Sequence, residues 1–174
     1  DDTTCCVVQM RRPRRLTVIT GPPYDQARDA EIAQLVGAPQ GRVAICGGTT
    51  AEIIGRRLGR PVEIELGAID PEVPPTATLA GADLVTEGMI TLAVCLRLLA
   101  VGPPWPAGRV NGATRLADLL LDSDVIELVV GTRVNEAHQD PSLPMELGIR
   151  RNLMRELARV LRERYAREVR LRFV

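Results

Sequence analysis

The residues able to do chemistry concentrate in four short stretches: ITGPP (19–23), CGGTTAE (46–52), VTEGM (85–89) and VGTRVN (130–135). In sheets covered by helices, ligands settle beyond the carboxyl ends of the strands, so a polar stretch directly after an apolar run is a candidate site loop. CGGTTAE is the sharpest. Gly47 and Gly48 let the backbone turn tightly, and the hydroxyl of Thr49 or Thr50 can cap the helix that follows. Free N–H groups at that helix start, the helix dipole and two hydroxyls make a phosphate or carboxylate site; a plain turn with a threonine cap would use the same residues. The stretch fits neither the phosphate-loop nor the dinucleotide glycine pattern, and it has no Lys to reach a terminal phosphate.

VTEGM places Glu87 after a strand and at the start of an apolar helix, either as an acid capping that helix or as an acceptor for a ligand hydroxyl in the crevice of Thr49 and Thr50. Asn111 and Thr114 also stand at a helix start, where capping explains both. VVGTRVNEAHQDPSLPMELGIRRN contains Thr132, Asn135 and the single histidine, His138, whose ordinary pKa suits proton transfer near neutrality. With no second histidine, His138 has no partner spacing for a metal. Arg133, Arg150 and Arg151 could supply a guanidinium clamp for an anion. The four cysteines, Cys5, Cys6, Cys46 and Cys95, have no metal-ligand spacing and read as buried free thiols.

The elements that must position these residues alternate along the chain. LTVIT, RVAICGG, PVEIEL, GADLVTEG, VIELVVGT and EVRLRFV read as strands, PVEIEL as an edge because its apolar residues alternate with Glu63 and Glu65. Between them, helices are expected over Tyr24–Gly37 (apolar side Ala27, Ala30, Ile32 and Leu35), Thr49–Gly59, Met89–Val101, Ala113–Asp124 and about Pro144–Arg164. The helix from Met89 is apolar almost all round, which implies burial on more than one side. The predicted fold is α/β, a mostly parallel sheet with helices on both faces and antiparallel edge strands allowed. A further strand is expected at Thr4–Met10, joined by the linker RRPRR, which divides the chain into residues 1–13 and a single α/β domain over 14–174.

Composition sets the outer bounds. The chain has 174 residues, 45% of them apolar, enough for a real core, while aromatics make up only 2% and offer almost nothing for base stacking. Acids and basic residues balance at 22 each, and every basic residue is Arg. From Arg150 to Arg172 nine Arg stand against three Glu, so this segment is about +6 and the remainder about −6. On the last helix, Arg151, Arg155, Arg159 and Arg162 lie off the apolar stripe of Ile149, Leu153, Leu157, Val160 and Leu161 and read as a solvated face; no nucleic-acid docking module is legible. No run reaches the about 18 apolar residues of a membrane span and no signal peptide is legible, so a cytoplasmic protein is expected.

The opening DDTTCCVVQM, which lacks an initiator methionine and looks cut from a longer chain, resembles the closing motif of metal-dependent PPM-type serine/threonine protein phosphatases, specifically the bacterial stage II sporulation protein E family. There D-[DN]-x-T precedes a valine-rich terminal strand of the catalytic sandwich. VAICGGTTAEIIGRRLGR, GADLVTEGMITL and PMELGIRRNLMREL resemble the α/β extension that follows the catalytic domain in some long members. The resemblance implies that Asp1, with Asp2 beside it, would bind a catalytic Mn²⁺ or Mg²⁺ of the parent phosphatase, where paired metals activate a water for attack on phosphorus. The family's other metal aspartates have no counterpart here, so the fragment is not expected to be catalytic on its own.

What this implies is a C-terminal accessory or regulatory domain that senses a small anionic ligand or docks a partner, its own catalytic domain included. The residues expected to hold the ligand are Gly47, Gly48, Thr49, Thr50 and Glu87, with Thr132, Asn135 and His138 secondary. Two alternatives stand beside it: an independent enzyme acting on a nucleotide or sugar phosphate with Glu87 or His138 as general base, and a dimerisation or interaction module, as a homodimer for instance.

Overall fold

The computed structural model describes residues 2–65, 70–105, 110–133 and 143–174, with backbone only for 143–146. Seven strands form one sheet: β1 (Arg15–Thr20), β2 (Arg42–Cys46), β3 (Val62–Ile64), β4 (Ala77–Leu79), β5 (Leu84–Thr86), β6 (Val125–Val130) and β7 (Glu168–Phe173), in the order β3-β4-β5-β2-β1-β6-β7. β5, β2, β1, β6 and β7 run parallel, whereas β3 and β4 are antiparallel to their neighbours. The α/β expectation, with its antiparallel edge, is what the chain builds, and β3 is the edge strand that the Glu63 and Glu65 alternation implies.

Among the described residues five helices cover the sheet: α1 (Asp29–Gly37), α2 (Gly48–Leu58), α3 (Met89–Val101), α4 (Gly112–Leu121) and α5 (Leu143–Tyr165). The period-two alternation of the strands divides the core in two. Leu16, Val18, Ala44, Ile126 and Leu128 meet α3, α4 and α5 on one face, and Ile19, Val43, Ile45, Val85 and Val129 meet α1 and α2 on the other. α3 packs against both α4 and α5, which is why its apolar character extends around most of its circumference. α4 starts on a capping box: Asn111 Oδ1 accepts from the N–H groups of Ala113 and Thr114, and Thr114 Oγ1 accepts from Asn111 N–H.

Four expectations change. Residues 4–10 form no strand here: the run is extended and β-branched, but no neighbouring strand pairs with it, and its side chains are exposed. The helix expected from Tyr24 begins at Asp29, after a short 3-10 turn over Gln26–Arg28; of its expected apolar side Ile32 is buried and Leu35 packs against the core, while Ala27 and Ala30 are exposed and Asp29, Ala33 and Val36 are buried instead. Cys46 and Cys95 are buried, but Cys5 and Cys6 are exposed. Ile149 is exposed, while Met154, Leu157, Ala158, Val160 and Leu161 are the α5 residues buried in the core, with Leu153 packed against it.

The linker is fastened to the amino ends of the central strands. Asp124, just before β6, accepts from Arg11 Nη1 at 2.5 Å, Arg11 Nη2 at 2.8 Å and Arg14 N–H at 2.7 Å. Arg14 also pairs with Asp122 at the end of α4, and Arg42 reaches the same carboxylate at 3.0 Å. The Arg11 hydrogen bonds, followed by the Arg14 amide, pull the Asp124 pKa down to about 2.

Candidate functional site

β1 is followed by a crossover to β2 on one side, and β6 joins it on the other, so the strand order reverses between β1 and β6. That reversal is where an open crevice is expected. Here the backbone closes it. Gly131 N–H donates to Thr20 O at 2.8 Å and Arg133 N–H to Pro22 O at 3.1 Å, which stitches the loop after β6 onto the loop after β1. A Cβ on Gly131 would lie 2.1 Å from Pro22 O and 2.2 Å from Gly21 O, so only glycine permits the approach. Arg133 then turns inward to Asp29 at 2.8 Å, their side chains 19% and 10% exposed.

Thr132 belongs to the same closure: its N–H and its hydroxyl both donate to Val174 O, at 2.9 and 2.8 Å. Arg150 leans over the junction with Nη1 3.4 Å from Gly131 O. Of the secondary candidates, Asn135 and His138 lie outside the described residues, as does Asp1. Asp2 is exposed, and among the described residues no group of three or more His, Cys, Asp or Glu could hold a metal ion.

The other two junctions stay open and adjoin. Gly47 N–H donates to Thr86 O at 2.8 Å, tying the carboxyl end of β2 to that of β5, and a Cβ on Gly88 would touch Cys46 O and Gly47 Cα at 3.6 Å. Gly47 turns with φ 143°, a backbone that favours glycine, and α2 begins at the next residue. No side chain caps α2. Thr50 is buried with its hydroxyl packed toward Gly47, and Thr49 is exposed, so the threonine cap expected from the sequence does not form. Among the described residues the N–H groups of Gly48, Thr49 and Thr50 have no acceptor, and the space beside Gly48 is open.

Glu87 lies on the neighbouring strand end, and its Oε2 accepts from Ile90 N–H at 3.1 Å, capping α3. The helix-capping role considered for Glu87 is therefore realised, with its second carboxylate oxygen left over. α4 also starts here: a Cβ on Gly112 would sit 3.2 Å from the methyls of Thr76 and Thr86 and 3.5 Å from that of Thr91. Three helix starts thus gather at the β2 and β5 ends. Thr132 is two strands away from β2, roughly 10 Å at ordinary strand spacing, so Gly47–Thr50 and Glu87 form one group and Thr132 is apart from it.

Beneath the turn, burial pushes the Cys46 thiol up to about 12, with the Glu87 charge adding a smaller push in the same direction. Burial also raises Cys95. Neither thiol is a nucleophile at neutral pH. An open groove of about 410 Å³ lined by Glu72, Val94, Arg97, Leu98 and Trp105 lies along the carboxyl-terminal half of α3, away from the gathered helix starts.

Compared with known proteins, the chain matches no family model, no curated protein and no solved structure. No helix among the described residues is long and apolar enough to cross a membrane.

Proposed function

We propose that this α/β domain is the accessory, ligand-sensing part of a bacterial PPM-type serine/threonine protein phosphatase, a cytoplasmic protein whose Mn²⁺ or Mg²⁺ chemistry resides in its catalytic domain. The observation that carries the sensing role is the uncapped start of α2, where three N–H groups without acceptors open beside Glu87. The amides and the dipole favour an anion, whereas the adjacent carboxylate disfavours a bare one. The ligand that answers both is an anion carrying a hydroxyl, as a sugar phosphate does, with its phosphate on Gly48–Thr50 and its hydroxyl donating to Glu87.

Docking against the catalytic domain is supported by the segment before the linker. Val7, Val8 and Met10 are 86%, 81% and 92% exposed, in a run that pairs with nothing among the described residues. That is the condition of a strand belonging to another sheet.

The test is thermal melting against sugar phosphates, nucleotides, dicarboxylates and inorganic phosphate, repeated with Thr49→Val plus Thr50→Val and with Glu87→Gln. A selective ligand at 100 times its dissociation constant adds about 2.7 kcal/mol to stability. The expected result is a rise for a hydroxylated phosphate, reduced by both variants. No rise with any compound, or a rise that both variants leave intact, refutes the reading.

A further inference from the structure

The arginines of α5 are not held alike. Arg159 pairs with Glu156 and Glu163, Arg162 donates to Val169 O, and Arg164 donates to Ala100 O and Val101 O. Arg151 and Arg155 do neither. Their guanidinium carbons stand 5.5 and 5.6 Å from the centroid of the Phe173 ring, at the carboxyl end of β7. Among the described residues no oxygen accepts from either of them.

Burial makes this unusual for Arg151. Four guanidinium Nε atoms among the described residues are shut off from solvent without a hydrogen bond, those of Arg133, Arg151, Arg167 and Arg172, the last lying 3.3 Å from Glu127 Oε1. Three of these side chains are satisfied through another nitrogen, Arg133 by Asp29, Arg167 by Leu121 O and Arg172 by Glu31. Among the described residues Arg151 has only the ring. The described acids of α5 and β7 are already engaged, Glu156 and Glu163 by Arg159 and Glu168 by Arg170.

Two like charges at i and i+4 repel, and no oxygen among the described residues offsets that repulsion. A guanidinium stacked on a ring keeps its N–H edge free to donate. One phosphoryl group, with several acceptor oxygens and up to two charges, satisfies both guanidiniums at once.

We propose that Arg151, Arg155 and Phe173 form a second anion site that takes a phosphoryl group, supplied by a free phosphate or by a phosphorylated side chain. It lies on the α5 face of the sheet, opposite α2, and stands independently of the ligand reading at Gly47–Thr50.

The test follows arginine Nε–H signals by NMR in the intact chain during titration with inorganic phosphate, a phosphoserine peptide and the same peptide unphosphorylated. The Arg151 signal is expected to shift saturably with at least one phosphorylated probe and not with the unphosphorylated peptide. Arg155→Gln, at an exposed position, is expected to weaken binding about tenfold, the loss of one charge-assisted contact, with the melting temperature kept. Thr49→Val plus Thr50→Val should leave this binding unchanged. Tighter binding of the peptide identifies a phosphorylated side chain as the source, and equal binding a free phosphate. Absence of saturation with both phosphorylated probes, or saturation that Arg155→Gln does not weaken, overturns the proposal.

Discussion

Replacing Gly131 with Ala tests the closure between β1 and β6 directly. The added methyl would lie 2.1 Å from Pro22 O and 2.2 Å from Gly21 O, and both obstacles are backbone atoms that no rotamer change can move. The two loops must separate, which strains the Gly131 to Thr20 hydrogen bond of 2.8 Å and the Arg133 to Pro22 bond of 3.1 Å. Overpacking costs about 1–3 kcal/mol and a lost internal hydrogen bond about 1, so a loss of about 3 kcal/mol is expected. At about 2–4 °C per kcal/mol for a domain of this size, the melting temperature should fall by about 6–12 °C in a calorimetric scan. Gly48→Ala is the control: nothing stands within 4 Å of its Cβ position, and the change should stay within about 0.5 kcal/mol. A Gly131→Ala protein melting within about 2 °C of the parent would refute the argument that backbone contact closes this crevice.

Three further outcomes are expected. Arg133→Met leaves Asp29 nearly buried without its partner and should cost about 3 kcal/mol in denaturant unfolding, the low end of the range for a broken buried pair; adding Asp29→Leu should recover part of it. The Asp124 carboxyl should titrate near pH 2 by carbon NMR, and Arg11→Gln should raise that midpoint; because the folded value lies below the unfolded one of about 4, its stabilisation is complete above about pH 4 and is lost as the pH falls through about 2. A thiol reagent at neutral pH should label Cys5 and Cys6 in the folded chain and reach Cys46 and Cys95 only on unfolding, so rapid labelling of all four would contradict the buried, neutral thiols.

What the sequence reveals follows the range of the forces involved. β1, β2, β6 and β7 are legible because each needs only its own alternation or apolar run, and α4 because its Asn111 cap is local. β4 has three residues and exists through its pairing with β3 and β5, so no local pattern announces it. The opposite error occurs at residues 4–10, where strand-forming residues lack a neighbour. In α1 the apolar pattern finds Ile32 but not the buried Asp29, which pairs with Arg133, 104 residues away. The same holds at the site. The turn at Gly47 and Gly48 is readable, but the closing of the Gly131 loop over the Gly21 loop is a meeting of two distant backbones. Only the register of β1 on β6 brings them together.

α4 joins two places that the sequence keeps far apart. Gly112 at its start packs against the methyls of Thr86 and Thr91 beside the open turn, and Asp122 at its end holds Arg14 of the linker. Ten residues of helix span about 15 Å, and helices transmit displacement along their axis with little compression. On the proposed reading, a ligand that displaced the start of α4 would shift Asp122 and with it the hold on Arg14.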